Sequence, residues 1–121
     1  MHLRWLRVHF SDCPEDADEL TVSRHARAWV WHMFGSVLFP DGTGDTASWM
    51  FLPCLEDWDV AGTLSWGSGV LAFLYRQLCQ ACRRRSPSGN LGGCVYLLQV
   101  ISFARFHDSN ISLFNNLCRS F

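Results

Sequence analysis

Apolar residues recur along this chain at helical spacing. Between about residues 20 and 38, Val22, Ala26, Trp29, Met33 and Val37 follow one another at steps of four, three, four and four. That rhythm places them on one face of a helix. The acidic stretch from Asp12 to Glu19, with Pro14 inside it, reads as a solvated connector. Its negative charge suits the positive end of the helix that follows. Pro40 and the loop Asp41-Gly42-Thr43-Gly44-Asp45 stop that helix. Residues 3–10 form a shorter amphipathic piece carrying Arg4 and Arg7.

A second pattern runs from about 65 to 84. Ser65 stands where an N-cap is expected. Val70, Leu71, Leu74, Leu78 and Cys82 make a buried stripe, while Arg76, Gln77, Gln80 and Arg83 to Arg85 face water. Between the two helices, Ala47 to Leu55 is apolar but holds Pro53, so it predicts short helical turns. Glu56, Asp57 and Asp59 close it, and Ala61-Gly62 turns the chain. Gly92-Gly93 opens a third helix over about 94–106. Its apolar run of Val95, Leu97, Leu98, Val100 and Ile101 matches a buried strand in composition, but its length favours helix. One further short helix is expected between Asp108 and Phe121. The fold class expected is all-α: one domain, with main helices near 20–38, 65–84 and 94–106.

Composition narrows the chemistry. Of 121 residues, 49% are hydrophobic, including six Trp and nine Phe, ample for one core. The net charge of −1 gives no general attraction to nucleic acid or anionic membrane. No run approaches the length of a bilayer span. All ten basic residues are arginine. Lacking lysine, the chain by itself has no Schiff-base residue for pyridoxal phosphate and no P-loop lysine. The six cysteines read as reduced thiols, several of them at apolar helical positions.

Each candidate site has a plainer reading. Cys79-Gln80-Ala81-Cys82 sets two thiols on one helical face. Structural zinc needs four ligands, and Cys94, His107 and Cys118 are scattered, so core packing is the expectation. His25 and His32 are seven apart, too far for a helical metal pair, and are expected half exposed beside Trp29 and Trp31. Of Asp41, Glu56, Asp57 and Asp59, three crowd a single helix end and loop, which suits solvated acids better than a two-metal centre. Ser36 and Ser68 lack the frame of a nucleophilic serine. Trp66 is expected to pack at the start of its helix, with Gly67 and Gly69 admitting a neighbouring helix. No catalytic residue, metal or cofactor emerges.

Several segments recur in a recognisable order. They are Ala26-Arg27-Ala28-Trp29, Leu38-Phe39-Pro40-Asp41, Leu52-Pro53-Cys54-Leu55-Glu56-Asp57, Ser65-Trp66-Gly67-Ser68-Gly69-Val70-Leu71-Ala72, Leu74-Tyr75-Arg76-Gln77-Leu78-Cys79, Gly92-Gly93-Cys94 and Leu97-Leu98-Gln99. Together they resemble the plant mobile domain of MAINTENANCE OF MERISTEMS-like proteins and transposons, over about residues 5 to 106. Members also bear the labels "aminotransferase-like" and "phosphatase 7 long form homolog". The resemblance implies a transposon-derived, nuclear, non-enzymatic module linked to silencing of transposable elements, genome stability and meristem development. It implies protein partners, a phosphatase-type partner among them. It also marks Asp41, Asp57, Trp66, Gly67, Tyr75, Arg76, Gln99 and Arg105 as structural signatures, with Arg76 and Arg105 as prospective partners of Asp41 or Asp57. Residues 1–106 are then a partial plant mobile domain, whose segment from Val100 to Phe106 keeps the family's arginine but loses its tryptophans, and 107–121 a divergent tail. The alternative is a nucleic-acid-binding remnant acting through Arg83 to Arg85 and exposed aromatics.

Overall fold

The computed structural model describes residues 1–84 and 89–109, with side chains described through residue 104. Arg85, the expected short helix after Asp108 and the ligand candidates His107 and Cys118 fall wholly or partly outside that description. The elements are α1 (Leu3–His9), α2 (Glu19–Met33), a π-turn (Phe34–Leu38), two 3-10 turns (Trp49–Phe51 and Pro53–Leu55), α3 (Trp58–Thr63), α4 (Trp66–Arg83) and α5 (Val95–Ser109). The only pairing of extended backbone among the described residues is an isolated bridge between His2 and Thr46. The chain is all-α. The helices stand near the expected positions, and Asp18 caps α2 by accepting from the Thr21 N–H. α3 was unforeseen. Asp57 accepts from the N–H groups of Asp59 and Val60 and starts a helix where a turn was expected.

The core lies under α1, α2 and the π-turn. Leu3, Leu6, Ala28, Trp31, Phe34, Phe39, Ala47, Leu55, Val70 and Cys94 are buried there. The expected stripe on α2 points the other way: Val22, Trp29, Met33 and Val37 are all exposed. The helix carries two apolar faces, and size decides between them. Ala28 and Gly35 are small enough for α1 and residues 45–47 to come close. A Cβ on Gly35 would lie 2.7 Å from Ala47 and 2.8 Å from Leu3 Cδ2. Trp31 and Phe34 then fill what remains.

The π-turn matters because it resets the helical phase. The Phe39 N–H bonds the Phe34 carbonyl at 2.7 Å, five residues back. Phe34 and Phe39 thereby meet edge to face, with ring centroids 5.4 Å apart. Phe39 also stacks on Phe51 at 4.2 Å and touches Phe73 of α4 at 5.6 Å. This aromatic knot joins the N-terminal half to α4. Indole N–H groups secure the loops: Trp31 donates to the Ser48 carbonyl, Trp58 to Ser23 Oγ and Trp66 to the Ala61 carbonyl.

Candidate functional site

The Asp41 loop lies against the residues that lead into α5: a Cβ on Gly42 would lie 3.2 Å from the Asn90 carbonyl oxygen. Asp41 is half-buried, and its carboxylate closes its own loop. Oδ1 accepts from the Thr43 N–H at 3.1 Å, Thr43 Oγ1 at 2.7 Å and the Gly44 N–H at 2.7 Å; Oδ2 accepts from Thr46 Oγ1 at 2.5 Å. Gly44 completes the turn at φ +72°. Burial alone pushes the Asp41 carboxyl upward, but donation from Thr46, Thr43 and Gly44 outweighs it and holds the group below its ordinary value. The glycine-rich loop is therefore no phosphate cradle: the Thr43 and Gly44 amides point inward, at Asp41.

Gly92 and Gly93 seat the start of α5 against this loop. The Gly93 N–H donates to the Pro40 carbonyl at 2.8 Å with φ +90°. A Cβ on Gly92 would come within 2.8 Å of the same carbonyl oxygen. Trp66 lies half-buried on Phe34 at 4.7 Å, as expected of a packing residue. The glycines beside it do not admit a helix. Gly67 faces open space, and Gly69 has only ordinary contact with the Phe39 ring at 3.8 Å. Ser65 sits at the N-cap position, but its hydroxyl meets Ser68 Oγ rather than a backbone amide.

Sequence reasoning overlooked Arg27. This half-buried side chain reaches from α2 to the end of the second 3-10 turn. Its Nε donates to the Leu55 carbonyl at 2.6 Å and its Nη2 to the Glu56 carbonyl at 2.8 Å. The guanidinium also lies 5.6 Å from the Trp58 ring centroid. The place of Arg27 between Ala26 and Ala28, inside an apolar stretch, was the available signal. Asp57 caps α3 beside it. Since Asp41 and Asp57 are engaged in their own loop and cap, the pairing expected with Arg76 is not made; Arg76 is exposed on α4. Tyr75 and Gln99 are exposed as well, and Arg105 lies on α5 past the last described side chain.

The metal and redox candidates do not converge. Among the described residues, no three His, Cys, Asp or Glu side chains gather as a metal would require. His25 is half-buried, bonded to the Thr21 carbonyl and set against Phe10, while His32 sits near Trp29. Cys79 and Cys82, expected in the core, are both exposed, because the buried face of α4 is Val70, Leu74 and their half-buried neighbours. Glu56, Asp57 and Asp59 line an open groove with Pro53, Cys54 and Trp58.

The exposed apolar surface is large. On α5, Tyr96, Val100 and Phe103 stand 68%, 64% and 76% exposed, spaced four and three residues apart on one helical face. Tyr75 adds a fourth large exposed side chain on α4, and no described helix is long and apolar enough to cross a membrane.

The chain is similar to several proteins of Arabidopsis thaliana. It is 43% identical to Protein MAIN-LIKE 2 over 84% of its own length, which is 15% of that relative. It is 40% identical to a serine/threonine-protein phosphatase 7 long form homolog over 87% of its length, 8% of that relative. It is 36% identical to Protein MAINTENANCE OF MERISTEMS over 86% of its length, 21% of that relative. The chain thus spans about a fifth or less of the relatives it matches. No solved structure matches it. The plant mobile domain model matches residues 1–117, and the chain belongs to that family.

Proposed function

We propose that this chain is a non-enzymatic protein-interaction module that works in the nucleus, in the silencing of transposable elements and in meristem maintenance. The observation that carries the reading is the Tyr96–Val100–Phe103 face of α5, three large apolar side chains held in water by a helix whose other side is anchored at Cys94 and Leu97. Monomeric soluble proteins rarely leave such contiguous surface uncovered, and aromatic side chains are favoured anchors at protein interfaces. The Gly93 N–H on the Pro40 carbonyl fixes the residues that lead into α5, and Asp41 closes the loop beside them. The names of two relatives, MAIN-LIKE 2 and MAINTENANCE OF MERISTEMS, support the developmental part of the reading. A phosphatase-type partner is a natural first candidate, since one relative joins the same domain to a phosphatase name. A net charge of −1 weighs against nucleic acid as the main partner, although Arg83 and Arg84 are exposed.

The test is affinity capture from plant nuclear extract, with and without nuclease. Capture of the same defined protein at near-stoichiometric yield in both supports the reading. Loss of every partner after nuclease, with direct DNA binding that falls steeply with salt, replaces it by the nucleic-acid alternative.

A further inference from the structure

The outer face of α4 carries a pattern that neither the core nor the proposed function uses. Ser68, Ala72, Tyr75, Cys79 and Cys82 follow at steps of four, three, four and three, and every one is exposed. This is the spacing of the a and d positions in a two-helix seam. It lies opposite the stripe of Val70 and Leu74 that holds α4 to its own core. Two small residues and a tyrosine make the seam's first part, and two thiols make its last.

We propose that Cys79 and Cys82 are half of a zinc site that a second copy of this chain completes. A structural zinc ion takes four ligands in a tetrahedron, and sulfur is among its preferred donors. One chain presents two thiols on adjacent seam positions, with no third ligand gathered beside them among the described residues. Two α4 helices packed side by side along this face bring two such pairs into neighbouring layers and supply four sulfurs. Four thiols give up four protons as one Zn²⁺ is bound, leaving a site of net charge −2. Arg76 and Arg83, exposed one position beyond Tyr75 and Cys82, flank the seam and supply compensating positive charge from each copy. The partner in this proposal is the chain itself, and the ligand is a soft divalent cation.

The experiment is sedimentation equilibrium of the 121-residue chain in a phosphine reductant, with and without added Zn²⁺. It is paired with Co²⁺ titration read by visible and near-ultraviolet absorption. The expected result is a monomer that becomes a dimer on adding zinc, with about one ion per two chains. Co²⁺ should give the intense tetrahedral bands and thiolate charge-transfer of a four-sulfur site. Cys79→Ser and Cys82→Ser should each abolish both the bands and the dimer while leaving the helical melt unchanged, since both side chains are exposed. Tyr75→Lys should weaken the zinc-induced dimer at least tenfold. A chain that stays monomeric with zinc overturns the proposal. So does one ion bound per monomer, or binding that survives either serine variant.

Discussion

Replacing Arg27 by alanine removes the link between α2 and the second 3-10 turn. Two hydrogen bonds from a charged donor are lost, at 2.6 and 2.8 Å, and the carbonyls of Leu55 and Glu56 lose their partner. Hydrogen bonds to a charged group are worth about 1.5–3 kcal/mol each. Arg27 is only half-buried, and water reaches the Glu56 side, so the pair together stands nearer 2 kcal/mol than 5. Loss of the contact with Trp58 adds about 0.5 kcal/mol. The sum, about 2.5 kcal/mol, corresponds to a melting-point drop of roughly 10 °C, at about 4 °C per kcal/mol for a domain of this size. Thermal unfolding followed by circular dichroism at 222 nm measures it. Arg27→Lys keeps the charge but cannot form both bonds of the planar fork, so about half the loss is expected. A melting point within about 2 °C of the parent for Arg27→Ala would show that Arg27 is a surface residue and that the 3-10 turn is held by other contacts.

Three further outcomes follow from the same structure. Gly35→Ala drives a methyl into Ala47 and Leu3, both at under 3 Å, and should cost about 1–3 kcal/mol in urea unfolding; a neutral effect would place Ala47 farther away. Because the folded Asp41 carboxyl is held below its ordinary 3.8, its contribution is present above that value and is lost as pH falls through the lowered one; Asp41→Asn should flatten that part of an acid-unfolding profile, and an identical profile would show that the loop does not bind the carboxylate. Arg76→Ala should leave stability within about 0.5 kcal/mol, as for any exposed substitution, and a clear drop in the melt would restore the ion pair expected from the sequence.

Periodicity located the helices but not always the side they bury. On α4 the apolar stripe and the buried face agree at Val70 and Leu74, but the last member of the stripe, Cys82, is exposed. On α2 both faces are apolar, and the choice turned on two small residues, Ala28 and Gly35, whose partners lie far along the chain. Helix α3 escaped because its six residues include Gly62 and its cap, Asp57, reads equally well as a loop acid. The role of Arg27 was not legible, since its partners are backbone carbonyls 28 and 29 residues away, which no side-chain pattern encodes. Asp41 and Trp66 stand out in the sequence. Why they matter needed coordinates: one turns its carboxylate inward on a loop, and the other caps an aromatic knot created by a π-turn.

The central claim is that the exposed α5 face binds protein. The most direct measurement is quantitative capture from nuclear extract by the parent chain and by the Tyr96→Ser/Phe103→Ser variant, after matched melts show both equally folded. The claim predicts at least a tenfold loss of the defined partner in the variant. Undiminished capture by the folded variant would contradict it and move the binding surface off α5.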